Sequence, residues 1–387
     1  MPEAVIVDVV RTPIGRAFKG SLAGLRPDDT GAYVVDQLLD RNPDVRPEDV
    51  EELMCGCGMP QGLQAFNIGR IMVLLSEKLP ETVNGVTISR YCASSLESIR
   101  QAANSIATGQ GDTYIAAGVE WVSRYNERTE PAGAADQNEK LQGKDGQPNA
   151  YIEMGLTAEN VADRYEVSRA DMDKYAQRSQ ELAVASQESG FFDREIVPVL
   201  LPDGTEVARD DGPRPSSTLE KLSQLEPAFK EDGKVTAGNS CPLNDGAAAA
   251  LVMSAERAKE LGLEPRARIV TAATNGVAPE YMGIGPIGAI NKVLDRAEMT
   301  IEDVNVVELN EAFAAQVIPI MDECDIPLDK LNTHGGAIAL GHPFGMTGAR
   351  IMATLINAME TDDHAIGLET MCVAGGQGEA MIVERLS

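Results

Sequence analysis

The sequence predicts an α/β fold of stacked layers, and three observations carry that reading. Runs of β-branched residues alternate with segments whose apolar residues return at helical spacing. Glycine is abundant, at 36 of 387 residues, while aromatic residues make up 4%, a balance suited to many tight turns between short elements. A small-residue turn, a helix, a short polar link and a strand also recur in that order at two distant places, the pattern of an internally duplicated α/β unit.

Residues 4–10 form a β-branched run ended by Arg11-Thr12-Pro13, a strand entering a loop. Residues 28–39 have helical spacing, and 49–57 lead into a second strand. Residues 87–91 read as a short strand that runs into Cys92, after which a helical face continues to Ile106. A turn over 109–112 and a strand over 113–119 follow. The character then changes. Arg124, Glu127, Arg128, Glu130, Asp136, Glu139, Lys140, Lys144 and Asp145 crowd a stretch with little apolar periodicity. Helical pattern resumes over 156–165 and 168–189, before a Pro/Gly-rich passage at 210–215. Residues 1–118, completed by 241–266, are therefore expected to form one half, with 119–240 inserted as a lobe. Residues 267–387 form the second half, with strands at 268–273, 305–309 and 365–370 and helices at 286–297 and 345–359.

Charge and cysteine usage narrow the function. Sixty acidic against 33 basic residues give a net charge of −27, which repels nucleic-acid backbones and makes any phosphorylated substrate depend on a local basic entrance. Solubility or salt adaptation accounts for the acidity itself. No run approaches eighteen uncharged apolar residues, so no membrane span is expected, and the acidic N-terminus does not read as a secretory signal. The expected location is the cytoplasm, with reduced thiols. Six cysteines include no CxxC pair and three histidines are too few for a metal cluster, so no metal is expected.

Three places carry candidate chemistry. Cys92 lies where a strand turns into a helix, and the free N–H groups of a helix start lower a thiol pKa. It reads either as a buried small residue or as a nucleophile that Ala93, Ser94 and Ser95 leave open to a bulky substrate. His342, fixed between Gly341 and Pro343, projects from a rigid loop as a base and oxyanion donor would. His334, beside Gly335 and Gly336, is either a second such group or a turn residue. Cys372 precedes Ala374-Gly375-Gly376-Gln377-Gly378, where backbone N–H groups can approach a ligand; the run is neither a P-loop nor a dinucleotide fingerprint. From the residues alone, these suggest one cysteine-dependent site.

Taken together, the motifs resemble the thiolase family from end to end. Residues 11–20 are similar to its first motif. Cys92-Ala-Ser-Ser-Leu resembles its nucleophile motif, with Ser95 where glycine is commoner, and Asn310-Glu311-Ala312-Phe313 its asparagine motif. Gly341-His342-Pro343 resembles the histidine motif, and Cys372 with Gly375-Gly376-Gln377-Gly378 the second cysteine motif. The resemblance implies two duplicated α/β halves in a five-layered α-β-α-β-α arrangement, with an inserted loop domain over the site. It implies an acyltransferase in which Cys92 forms an acyl-enzyme, His342 is the base and Cys372 the acid–base group. Asn310 holds a water, and the backbone of Cys92 and Ala374 forms an oxyanion hole. Coenzyme A and acyl-CoA are the implied partners, with CoA a substrate and no cofactor, and a homodimer or homotetramer is the implied assembly. Arg214, Ser240 and Cys241 are the implied CoA contacts. Cys241 replaces the usual serine, Glu153 stands where biosynthetic members carry histidine, and Ala374 replaces the usual glycine, as in degradative, longer-chain members. The expected activity is therefore 3-ketoacyl-CoA thiolysis in lipid metabolism. Acetoacetyl-CoA synthesis and a non-catalytic thiolase-like lipid carrier are the alternatives.

Overall fold

The computed structural model describes residues 2–125 and 136–387; Glu127, Arg128 and Glu130 of the charged stretch lie outside the described residues. The chain opens with β1 (Ala4–Arg11) and the two-residue β2 (Gly15–Arg16). Next comes α1 (Pro27–Arg41), started by a proline and two aspartates and ended by an arginine, as the helix dipole favours. β3 (Glu52–Gly56), α2 (Ile68–Leu75), β4 (Asn84–Ile88), α3 (Ser94–Ala107) and β5 (Thr113–Trp121) follow. The lobe contributes α4 (Met154–Arg164), α5 (Arg169–Glu188), the short pair β6 (Val199–Leu200) and β7 (Glu206–Val207), and α6 (Leu219–Ser223). β8 (Asn244–Ser254) and α7 (Ala255–Glu260) return to the first half. The second half runs β9 (Ala267–Gly276), α8 (Gly285–Ala297), β10 (Val306–Leu309), α9 (Ala314–Glu323), α10 (Ala337–Leu340), α11 (Thr347–Thr361), β11 (Ile366–Val373) and β12 (Gln377–Arg385).

Strand order reveals the duplication. The first half is ordered β1-β8-β5-β3-β4 and the second β9-β12-β11-β10, with Leu331 bridged parallel to Val307 where the first half has β4. Directions agree as well. β3 runs parallel to β4 and β5, as β10 does to Leu331 and β11, while β8 and β12 run antiparallel to both their neighbours. A short antiparallel contact, Val5 with Arg268 and Ile6 with Ala267, joins the halves.

Three cores separate five layers. Leu96 and Ile99 of α3 and Ile351 and Leu355 of α11 share the central core with Ile6, Ala116 and Ala250 from one half and Met371 and Met381 from the other. One outer core sets Val35 and Leu38 of α1 and Met72 of α2 against Val5, Leu53 and Ile115; the other sets Ile290 of α8 and Val317 of α9 against Leu309, Leu368 and Ile382. Strands buried on both faces therefore read as continuous apolar runs. Gly348 permits the close approach of the central helices, because a Cβ there would collide with the Leu96 backbone.

The lobe is bound by buried charge as well as by apolar packing. Arg11 is fully buried at the end of β1, its guanidinium 2.6 Å from Glu195 and forked onto Asp210 at 2.7 and 2.9 Å. The structure also shifts several expected boundaries. β4 ends at Ile88 rather than reaching position 91, because Tyr91 turns into the left-handed region at φ 45°. β5 runs to Trp121, past position 118, so the lobe departs from about residue 122. No helix among the described residues is long and apolar enough to cross a membrane.

Candidate active site

Cys92 sits in a tight elbow between β4 and α3. Ser94 Oγ accepts from Arg90 N–H at 2.9 Å and donates to the Tyr91 carbonyl at 2.6 Å, which ties the turn that holds Tyr91 at positive φ. Burial pushes the Cys92 thiol well up, Cys372 and Cys241 add to this, and the Ala374 backbone N–H pulls it down. The helix start was expected to lower this pKa; desolvation outweighs it, and the resting sulfur carries its proton. Ser95 hydroxyl meanwhile accepts from Ala349 N–H in the first turn of α11 at 2.9 Å, satisfying a donor that the helix itself cannot.

His342 is held at its backbone N–H and at both ring nitrogens. Its backbone N–H donates to Asn244 Oδ1 at 2.9 Å. Thr347 Oγ1 lies 2.7 Å from His342 Nδ1 and donates its single proton to the Pro343 carbonyl at 2.8 Å. It therefore receives Nδ1–H, and the neutral ring is assigned a lone pair on Nε2. Asn310 Nδ2, 3.3 Å from Nε2, fits the same tautomer as a donor. Burial, followed by the nearby Arg350 charge, pulls the His342 pKa down to about 3, so the ring rests neutral.

Asn310 follows β10, and its Oδ1 is buried without a hydrogen-bond partner among the described residues. The next residue, Glu311, gathers Tyr175 hydroxyl at 2.8 Å, Ser179 hydroxyl at 2.6 Å, Asn332 amide at 2.8 Å and Ile338 N–H at 3.1 Å. One carboxylate thus fastens lobe helix α5 to the loop before His342. Cys372, near the end of β11, accepts from Gln316 Nε2 at 2.9 Å. Burial raises its pKa to about 11, with Gln316 pulling the other way. The β11–β12 turn uses Gly375 and Gly376 at φ 79° and 84°, and Ala374 stands at its start.

These groups meet at a cavity of about 490 Å³. Cys92, His342, Cys241 and Ala374 lie on its wall, among Met59, Phe229, Met282, Phe313 and Phe344. Cys372 and Asn310 are not on the wall; Asn310 reaches it through His342, and Cys372 raises the thiol pKa of both Cys92 and Cys241. Residues 4–256 match the family described as thiolase, N-terminal domain, and residues 263–385 match thiolase, C-terminal domain. The chain belongs to the thiolase family. It is an acyltransferase of that family and is 43% identical to the β-ketoadipyl-CoA thiolase of Pseudomonas putida, with 100% of each chain covered. It is also 43% identical to the 3-ketoacyl-CoA thiolase of Bacillus subtilis strain 168, covering 99% of this chain and 100% of the relative. The crystal structure of the dimeric peroxisomal thiolase of Saccharomyces cerevisiae matches with a TM-score of 0.93 at 37% identity, covering 99% of this chain and 97% of that one.

Other sequence-selected residues of this thiolase fall in different places. His334 stacks on Phe191, ring centroids 3.6 Å apart and planes 11° from parallel, so it belongs to the lobe contact rather than the cavity wall. Ser240 is buried, and its hydroxyl donates to the Thr236 carbonyl at 2.5 Å. It also is not on the wall; its neighbour Cys241 is, with burial pushing that thiol to about 12. Arg214 is exposed on the lobe. Partial burial and then the like charge of Arg16 lower its pKa. No group of three or more His, Cys, Asp or Glu suited to a metal ion occurs among the described residues.

Several positioning residues carried no sequence signal. Glu120, fully buried near the end of β5, accepts from Gly58 N–H at 2.7 Å, Gly345 N–H at 2.8 Å, Tyr125 hydroxyl at 3.0 Å and the Gln64 amide. It clamps the Met59 loop to the histidine loop. Asn244 and Thr347 likewise hold His342, and Gln316 holds Cys372, and only the folded chain brings them there.

Proposed function

We propose that this thiolase is a degradative 3-ketoacyl-CoA thiolase, an acetyl-CoA C-acyltransferase that uses CoA to split 3-ketoacyl-CoA into acetyl-CoA and a shortened acyl-CoA. The observation that carries the reading is the convergence of Cys92 and His342 on an apolar cavity, with Cys372 coupled to Cys92 and Asn310 bonded to His342.

In the proposed cycle His342 Nε2 takes the Cys92 proton and the thiolate adds to the substrate C3 carbonyl. The C2–C3 bond breaks, its electron pair leaves with acetyl-CoA as an enolate, and Cys372 gives its proton to C2. The Cys372 thiolate then removes the thiol proton of incoming CoA, whose sulfur attacks the acyl-Cys92 thioester. Cys92 departs as thiolate and recovers its proton from His342. Donors for the C3 oxyanion are the Cys92 and Ala374 N–H groups; His342 and Asn310 serve the enolate oxygen. Resting neutrality of both thiols and the imidazole suits this scheme. Charge is expensive in so dry a cavity and need arise only beside the reacting substrate.

A cavity walled by Phe and Met and far larger than an acetyl group favours longer chains over acetoacetyl-CoA. Ala374 and the absence of histidine at Glu153 point the same way, and the P. putida and B. subtilis relatives are named for β-ketoadipyl-CoA and 3-ketoacyl-CoA. CoA enters as a substrate and no cofactor is proposed. Arg214, exposed on the lobe with Arg16 adding positive charge to its surroundings, is the proposed contact for the anionic end of CoA in a chain of net charge −27. Cys241, on the wall, is the proposed contact for the thiol arm. A homodimer or homotetramer, supported by the dimeric yeast relative, and a cytoplasmic location complete the reading.

A chain-length series with purified enzyme and free CoA tests it. Higher kcat/KM for 3-oxohexanoyl-CoA and longer substrates than for acetoacetyl-CoA is expected. A clear preference for acetoacetyl-CoA would instead favour the biosynthetic assignment, and absence of thiol-dependent turnover a lipid carrier.

A further inference from the structure

Resting on the thiolysis reading above, the structure assigns Glu153 as a specificity-determining residue that excludes acyl chains ending in a carboxylate and directs the cavity to uncharged tails. Among the described residues that line the cavity, Glu153 alone bears a formal charge, and no lysine or arginine faces it from the wall. Glu153 is exposed to solvent, while the same wall carries Met154, Phe229, Met282, Phe313 and Phe344. Glu153 occupies the position just before α4, where its backbone carbonyl accepts from Leu156 and Thr157 N–H at 3.0 and 3.2 Å while its carboxylate makes no capping bond. The carboxylate therefore stands without a basic partner on the cavity wall, at the start of α4.

An acyl tail ending in a methyl group meets only apolar surface in this cavity. One ending in a carboxylate meets two penalties: it loses water with no basic group to replace it, and it approaches a like charge. The second penalty belongs to Glu153 alone. Across a partly hydrated wall it is worth on the order of tenfold in specificity.

The test compares chains of equal length with and without the terminal charge. Thiolysis of 3-oxohexanoyl-CoA and 3-oxoadipyl-CoA gives a kcat/KM ratio, and calorimetric binding of hexanoyl-CoA and adipyl-CoA to the Cys92→Ser protein gives a second ratio independent of turnover. In the wild type both ratios should favour the uncharged tail. Glu153→Gln, which removes charge while keeping shape, should shrink each about tenfold, and Glu153→Lys should shrink them further. Raising salt from about 0.1 to about 1 M should narrow the wild-type ratio but not that of Glu153→Gln, because added ions screen a like-charge contact. Equal handling of both tails by the wild type, or ratios unmoved by both substitutions, overturns the assignment. Discrimination in binding without any thiolysis would keep this role for Glu153 and remove the proposed reaction instead.

Discussion

Gln316 Nε2 donates to Cys372 Sγ at 2.9 Å, the one directed hydrogen bond from a side chain to either proposed catalytic sulfur among the described residues. Gln316 is fully buried in the first turn of α9, and its other amide atom, Oε1, has no partner. A donor aimed at sulfur stabilises thiolate over thiol, so Gln316→Leu should raise the Cys372 pKa above its value of about 11. Hydrogen bonds to charged groups are worth about 1.5–3 kcal/mol, which corresponds to one to two pH units and about a 10- to 100-fold loss in the step in which Cys372 gives its proton to C2. Iodoacetamide labelling of Cys372 against pH, read by peptide mass spectrometry, should shift upward. Acylation of Cys92 by acyl-CoA should persist. An unchanged labelling profile would leave Gln316 with a packing role only.

The buried imidazole sets a pH dependence of stability. His342 has its folded pKa depressed to about 3 from 6.5. Below 6.5 the unfolded chain takes up a proton that the folded ring refuses, so the contribution is present above 6.5 and lost as pH falls toward 3. Between pH 7 and 5 that loss is about 2 kcal/mol. His342→Asn lacks this term, so the wild type should lose more stability than the variant over that interval. Parallel urea unfolding of both proteins at each pH reads the difference, and parallel losses would contradict a neutral buried His342.

At the lobe contact, Arg11 joins Glu195 and Asp210 with no exposure at any of the three side chains. Breaking a buried ion pair on one side strands the other charges, at a cost of about 3–5 kcal/mol. Arg11→Met should lower the thermal midpoint sharply. Arg11→Met with Glu195→Gln and Asp210→Asn should recover much of the loss, since no uncompensated carboxylate then remains. Equal melting of the single and triple variants would show that packing, not charge, holds the lobe.

Much of this site was legible before folding because its groups lie in short, unusual turns. Cys92 at a strand-to-helix junction, His342 between glycine and proline and Cys372 before a glycine run each announce a constrained backbone. The supporting residues do not. Thr347 lies five positions beyond His342 and looks like an ordinary helix start, yet it fixes the tautomer. Glu120 and Glu311 read as polar residues beside strands, while their function is to gather donors from distant segments. In the fold, β8 escaped notice because its alanine run lacks the β-branched signal of a strand, although it lies at the middle of its sheet. α9, with Pro319 in its middle, also went unread from the sequence. Arg11 was visible only as part of a motif; its buried partners are 184 and 199 positions away.

The most direct measurement is intact-protein and peptide mass spectrometry after mixing the enzyme with 3-oxohexanoyl-CoA in the absence of free CoA. A butyryl thioester on Cys92 should appear, together with an equivalent amount of acetyl-CoA, and added CoA should discharge it. Cys92→Ser should carry no such adduct, because a hydroxyl is a far weaker nucleophile at neutral pH. Cys372→Ala should still accept an acyl group from butyryl-CoA, while its overall thiolysis falls by at least ~10²-fold. An adduct on Cys372 that survives in Cys92→Ser and is lost in Cys372→Ala would reverse the roles of the two cysteines, and acetyl-CoA release without any enzyme-bound acyl group would contradict the covalent mechanism.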